Sequence, residues 1–275
     1  MSILNHYLHL WTVWLKSLEL KLTHRGFTVN RFANLDHLKS LLDQHRPLPS
    51  AIVKNLQEEL ILRWTYNSNA IEGNTLTLQE TKVALEGITI GGKTMREHFE
   101  AINHKEAILY VEALVQENEP LTEWEIKSIH SLVLKNIDDS NAGKYRDINV
   151  LISGATHRPP DHLNVPDNMA AFINWYQNEA QMLHPVERAA RVHADFVGIH
   201  PFIDGNGRTS RLLMNLELMK SGFPPIVIKV EDRLEYYKAL DEAHTTGNYE
   251  PFIDLIAKAS QESFEPYWFV LGIKP

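Results

Sequence analysis

Apolar stripes at helical spacing, each halted by proline or glycine, recur along almost the whole chain and leave little room for a sheet. RFANLDHLKSLLDQH (31–45) carries one stripe and stops at Pro47 and Pro49. Residues 50–71 put Leu56, Leu60 and Trp64 on one face and run out near Gly73, a position suited to a helix C-cap. Thr77 with Glu80, and Thr122 with Glu125, have the spacing of capping boxes, and Gly87 closes the helix that Thr77 opens. Further helical patterns cover 95–116, 122–137, 167–180, 185–199, 208–221, 231–246 and 250–265. The texture changes only at GKYRDINVLISGATHRPP (143–160). There Val150, Leu151 and Ile152 form a β-prone run, and Gly154 with Pro159-Pro160 excludes helix. The expected fold class is mainly α: a helical bundle with a short β-hairpin flap and an N-terminal helical extension.

Composition removes several classes of function. The 275 residues contain no cysteine, which excludes disulfides, thiolate zinc sites and a cysteine nucleophile. A formal charge of −8 argues against a surface dedicated to nucleic acid. The N-terminal MSILNHYLHLWTVWLKSLEL spaces Leu4, Leu8, Trp11, Trp14 or Leu15, and Leu18 as an amphipathic helix, and Lys16 and Glu19 interrupt it before it reaches membrane-spanning length. It lacks a basic leader and a cleavage site. The expectation is a cytoplasmic protein without membrane or nucleic-acid partners, its tryptophan stripe packed on its own domain or in a homodimer contact.

The densest chemistry lies in HPFIDGNGRTSR, residues 200–211. Upstream, Val186, Ala189, Ala190, His193, Phe196 and Val197 mark the buried face of a helix that must end at His200, because Pro201 disfavours helical backbone in the residue before it. Downstream, Leu212, Leu213, Leu216 and Met219 mark the next helix. DGNG is therefore a tight turn opening a helix N-terminus, where backbone N–H groups and the positive dipole end favour an anion. Arg208 and Arg211 leave the same face of the first turn, and two such arginines over glycines suit a polyphosphate. Asp204 suits a Mg²⁺ ion whose other ligands are phosphate oxygens and water. His200 at the mouth can take a proton from a hydroxyl. Singly each residue has an ordinary structural explanation, but no structural need calls for all of them together.

The stretch resembles the HPFx[DE]GNGRxxR signature of the Fic family and is complete at every defined position. GKYRDINVLISGATHRPP, the following segment to 176, and DRLEYYKALDEAHTTGNYEPFIDLIAKA extend the likeness over roughly residues 95–262. The resemblance implies a Fic-type bundle: an N-terminal helical region over 1–94, a catalytic domain over 95–265 and a C-terminal tail over 266–275. It implies a protein adenylyltransferase, moving AMP from Mg-ATP onto a Ser, Thr or Tyr hydroxyl of a target protein or of itself. His200 would be the base and Asp204 the Mg²⁺ ligand. Gly205, Asn206 and Gly207 would cradle phosphates, Arg208 and Arg211 hold their β and γ ends, and Phe202 anchor the loop. Val150, Leu151 and Ile152 would hold the target by strand-like pairing. Tyr236, Tyr237 and His244 are candidates for the adenine pocket, with His244 standing where relatives often carry asparagine. Relatives that transfer a phosphate carry lysine at the place of Gly207.

SNAIEGN (68–74) resembles the family's inhibitory motif, [S/T]xxxE[G/N]. Ser68 and Glu72 are four apart on one helix, followed by Gly73. A carboxylate brought to Arg211 would form a bidentate pair with the guanidinium that ATP needs. Glu72 is expected to restrain transfer, or to support removal of AMP by positioning water. Two readings of another class stay open: a metal hydrolase using His193, His200 and Asp204, and a non-catalytic nucleotide-binding or interaction protein.

Overall fold

The computed structural model describes residues 31–274. The amphipathic stripe expected over 4–18, and the homodimer contact drawn from it, lie outside the described residues. Eleven α-helices follow among them: α1 Ala33–Asp43, α2 Ser50–Ile71, α3 Leu78–Leu85, α4 Met95–Gln116, α5 Glu123–Leu134, α6 Val165–Asn178, α7 Pro185–Ile199, α8 Asn206–Lys220, α9 Arg233–Thr246, α10 Glu250–Glu262 and α11 Glu265–Leu271. The last stands within the segment expected as a tail. Its Trp268 is buried and stacks on Phe264 at 5.7 Å.

Local signals set the helix ends. Both anticipated capping boxes form, with Thr77 and Thr122 each closing reciprocally on the glutamate three residues on. A third forms at Thr94 and Glu97 and starts α4. No helix of the described residues is long and apolar enough to cross a membrane.

Two apolar clusters make the core. One gathers α1, α7, α9 and α10 with Ile71, Met214 and Leu218. The other gathers α4, α5 and α6 with Phe202, Leu212, Leu213 and Leu216. Helix α8 feeds both, so it is enclosed on all sides rather than along one stripe. Two of the polar residues in its second half are paired inside. Asn215 exchanges two 2.8 Å bonds with the backbone of Ile226. Glu217 accepts from Arg188 of α7 at 3.0 Å and from Tyr176 of α6 at 2.7 Å. The helix whose first turn carries the sequence motif is thereby fixed in the centre of the molecule.

The flap differs from expectation. Residues 143–160 form turns and extended backbone, and no strand occurs among the described residues. The three-residue apolar run has no partner strand, and Pro159 and Pro160 remove two ladder donors from the opposite arm. Side chains hold the segment instead. Arg146 donates to the carbonyls of Ile148 (2.8 Å), Pro160 (2.5 Å) and His200 (2.9 Å). Asn149 bonds Asp161 at 2.9 Å, and Asp241 of α9 accepts from the N–H groups of Thr156 and His157 at 2.8 Å each.

Candidate active site

Helix α7 stops at Ile199, and His200 takes left-handed backbone, φ 50° and ψ 58°. A non-glycine residue at positive φ is sparsely populated and needs support. It receives support on both sides: Arg146 Nε bonds the His200 carbonyl, and the Arg146 backbone N–H bonds that of Pro201, both at 2.9 Å. Phe202 is fully buried and stacks on His130 with centroids 3.6 Å apart. Asn206 closes the loop by exchanging two bonds with the Phe202 backbone, 2.9 and 2.8 Å. Its side chain thus staples the turn, and its contribution to an anion cradle comes from the backbone.

His130 completes this support. It accepts at Nδ1 from the Gly143 N–H and so donates from Nε2 to the Asp204 carbonyl, both at 2.9 Å. Gly205 beside it has φ 76°, and a Cβ there would stand 3.2 Å from Val133 and 3.3 Å from His130. Neither His130 nor Arg146 was singled out in the sequence. They lie more than fifty residues before the motif, in helical and loop stretches without a local signal.

His200 Nδ1 lies 3.3 Å from the Val197 carbonyl, which can only accept, so Nδ1 carries the proton and Nε2 a lone pair. Burial pushes the His200 pKa down to about 4, assisted by Arg146 against the Val197 bond and Glu72. The imidazole is therefore neutral at pH 7. Arg208 is buried, donates to Asp204 at 3.2 Å and lies 3.4 Å from Glu100. Its Nε and Nη1 make no hydrogen bond. Buried donors without a hydrogen bond beside a glycine turn suit an oxyanion, although Nη1 already has the Glu100 carboxylate at 3.4 Å.

Arg211 is also buried, and each of its three nitrogens is bonded. Nε bonds Ser68 Oγ at 3.0 Å, Nη1 bonds Tyr236 OH at 3.2 Å, and Nη2 bonds both the Ser68 carbonyl (2.8 Å) and Glu72 Oε1 (2.7 Å). The Glu72 pair is therefore a single contact and not the bidentate fork expected from sequence. Ser68 and Tyr236 occupy the nitrogens that a fork would use. Burial works against the charge of Arg211, and Tyr236 and Glu72 more than restore it. Glu72 caps the end of α2, and Gly73 reverses the chain beyond it at φ 98°. The carboxylate lies directly over the glycine nest: a Cβ on Gly207 would stand 2.2 Å from Glu72 Oε1 and 3.2 Å from Arg211 Nη1.

The Fic/DOC family pattern matches residues 120–218. A Fic-domain signaling protein from Bacteroides thetaiotaomicron superposes with a TM-score of 0.80 at 31% identity, over 88% of this chain and 98% of that one. This chain belongs to the Fic/DOC family. Fic-1 of C. elegans (aa134 - 508) also superposes with a TM-score of 0.80, at 34% identity over 93% of this chain and 77% of that one. The protein adenylyltransferase Fic of Nematostella vectensis is 40% identical over 232 residues, 83% of this chain and 54% of that protein. The chain thus spans about half the length of the curated relative it matches.

Around the Fic/DOC loop, the remaining sequence candidates divide. Tyr236 is buried against Arg211, whereas Tyr237 is partly exposed and its hydroxyl bonds the Ile71 carbonyl at 3.1 Å. His244 Nε2 donates to the Ala194 carbonyl at 2.8 Å, and its ring lies 4.6 Å from that of His157. Val150 and Ile152 are half-buried, and Leu151 is 77% exposed on the flap. His193 is fully buried, with Nε2 2.9 Å from Tyr236 OH and 3.0 Å from Ser210 Oγ, so the constellation of a His193, His200 and Asp204 metal hydrolase does not form.

The donor set at Asp204 fits Mg²⁺ of the kind that arrives with phosphates, since one carboxylate suffices when substrate oxygens and water supply the rest. Burial would raise the Asp204 pKa, but Arg208, the Gly205 N–H and Arg96 bring it below the ordinary carboxylate value. The carboxylate is ionised and its side chain is 39% exposed. Its outer oxygen, Oδ2, is held by Arg96 of α4, a residue the sequence did not single out and whose side chain is 55% exposed. Access for a cation requires that arginine to move.

Proposed function

We propose that this Fic/DOC protein transfers AMP from Mg-ATP to a hydroxyl of a target protein, and that Glu72 holds it in a restrained state. The observation that carries the reading is the contact of Glu72 with Arg211 over Gly207, beside an Arg208 whose buried Nε and Nη1 make no hydrogen bond. Relatives named protein adenylyltransferase support the direction of the chemistry.

The polyphosphate would lie over the first turn of α8, where Gly207 admits close backbone approach and Arg208 and Arg211 flank it. His200 Nε2 takes the proton of the incoming Ser, Thr or Tyr hydroxyl, whose oxygen bonds to the α-phosphorus. The bond from that phosphorus to the bridging oxygen breaks, and pyrophosphate leaves with its charge held by Arg208 and Arg211. Mg²⁺, held by Asp204, would supply further neutralisation of phosphate charge. The exposed edge at Val150–Ile152 suits an extended target segment, because its backbone has no strand partner of its own.

The test is incubation with α-labelled ATP and Mg²⁺. Glu72→Gly is expected to label itself or lysate proteins, wild type much less, and Glu72→Gly with His200→Ala not at all. Absence of label with Glu72→Gly refutes transfer. Equal label with wild type refutes the restraint alone.

A further inference from the structure

Behind the site, Arg211 heads a polar chain of three buried side chains, and the transfer reading leaves the other two, Tyr236 and His193, without a task. Arg211 Nη1 donates to Tyr236 OH at 3.2 Å, and Tyr236 OH lies 2.9 Å from His193 Nε2. Tyr236 and His193 are both closed off from solvent. The direction of each bond follows from the partners. A guanidinium has no acceptor, so the phenol cannot donate to Arg211 and must give its proton elsewhere. Ser210, the other neighbour of Nε2 at 3.0 Å, already donates its own proton to the Gly207 carbonyl at 2.9 Å.

His193 is the acceptor. Burial, then the charge of Arg211, holds it well below the ordinary histidine pKa, so the ring is neutral. Burial likewise raises Tyr236 to about 12, which keeps the phenol protonated. With Nε2 accepting, the ring proton sits on Nδ1, and that atom is buried without a partner. An orphaned buried donor costs about 1–3 kcal/mol. The arrangement accepts that cost and leaves the phenol oxygen lone pairs facing Arg211.

The other anchors of Arg211 have a different address. Ser68 Oγ, the Ser68 carbonyl and Glu72 all belong to the last turn of α2. A displacement of that turn that withdraws Glu72 loosens the Ser68 bonds with it. Tyr236 and His193 stand on α9 and α7, inside the core.

We propose that Tyr236 and His193 are positioning residues for the terminal phosphates: they hold Nη1 of Arg211 from the core, so that the guanidinium stays aimed over Gly207 when the end of α2 withdraws. This rests on the reading that Arg211 receives the end of the polyphosphate. AMP, which ends at the α-phosphate, does not reach Arg211 on that reading. Loss of the anchor therefore weakens ATP and spares AMP, whereas general damage to the fold weakens both.

The experiment measures ATP and AMP dissociation constants by calorimetry, without turnover, in the Glu72→Gly protein carrying Tyr236→Phe, His193→Phe or His193→Gln. Tyr236→Phe and His193→Phe are expected to weaken ATP about tenfold, the worth of one hydrogen bond to a charged group. AMP binding stays unchanged. His193→Gln, whose amide oxygen can accept near the place of Nε2, retains most ATP affinity. Equal losses for both nucleotides, or no loss for either, overturn the proposal. So does a Glu72→Gly parent that binds ATP no more tightly than AMP. Because only binding is read, a failure of AMP transfer to a hydroxyl shows separately, in the labelling test.

Discussion

Replacing Glu72 with glycine removes one oxygen from Arg211 Nη2 at 2.7 Å and clears the space 2.2 Å from where a Gly207 Cβ would stand. On the proposed reading, ATP reaches Arg211 only after the protein gives up that contact. A hydrogen bond between charged groups contributes about 1.5–3 kcal/mol, and the Glu72 side chain is 34% exposed, so solvent screening favours the lower half of that range. About 2 kcal/mol corresponds to roughly 30-fold in the ATP dissociation constant. Repulsion between the carboxylate and a polyphosphate adds to this, so the figure is a floor. Stability should fall by about the same 2 kcal/mol and not further, because Arg211 keeps its two bonds to Ser68 and one to Tyr236. Calorimetric titration with ATP, beside a chemical melt, reads both quantities. Glu72→Gln keeps an acceptor but loses the charge, and should fall between wild type and glycine. A change below about threefold for Glu72→Gly, against the tenfold that 1.4 kcal/mol gives, refutes the reasoning. A glutamine variant that behaves as wild type refutes the role given to charge.

Gly207→Ala puts a methyl group against Glu72 Oε1, so in the wild type it should cost about 1–3 kcal/mol of stability. In the Glu72→Gly background the melt should recover while ATP binding stays weak, because the methyl group fills the nest. Since burial sets the His200 pKa at about 4, the acid limb of kcat/KM should lie near pH 4 and not near 6.5; a limb near 6.5 in Glu72→Gly contradicts the assigned environment. His130, lowered to about 4 by burial, binds its proton more readily unfolded than folded. Its contribution is complete above pH 6.5 and is lost as pH falls towards 4, up to about 3 kcal/mol, readable as falling denaturation midpoints; His130→Phe should flatten that slope. Arg96→Ala frees Asp204 Oδ2 and should tighten Mn²⁺ binding several-fold in Glu72→Gly with a non-hydrolysable ATP analogue, while Asp204→Asn abolishes it.

Much of the fold was legible because short-range chemistry wrote it. The span of α2, the stop at Pro201 and two capping boxes follow from neighbouring residues alone. The third box, Thr94 with Glu97, has the same spelling and went unread. The flap failed for the opposite reason: a β-prone run needs a partner, and pairing is a property of distant chain. Within the site, the contact of Glu72 with Arg211 agrees with its sequence reading, but its form does not. Competition for guanidinium nitrogens by Ser68 and Tyr236 comes from tertiary packing that the sequence does not spell out. His130, Arg146 and Arg96 were missed because their roles come from where three separate segments meet. Asn215 and Glu217 look like a solvent face of α8, yet their partners at Ile226, Arg188 and Tyr176 enclose them.

That enclosure divides the site into an anvil and a hammer. With core on every side and Asn215 and Glu217 bonded to Ile226, Arg188 and Tyr176, α8 is the part of the site most firmly held. The last turn of α2 rests on it through Ile71, buried in the cluster of Met214 and Leu218, and through the Ser68 and Glu72 contacts to Arg211, and it carries the exposed edge of Glu72. Any signal that governs this protein must therefore spend its force on the hammer. Sequence change that retunes the response should accumulate around residues 68–74 and the α4 residues behind them, Glu97 and Glu100, to which Asn74 is tied.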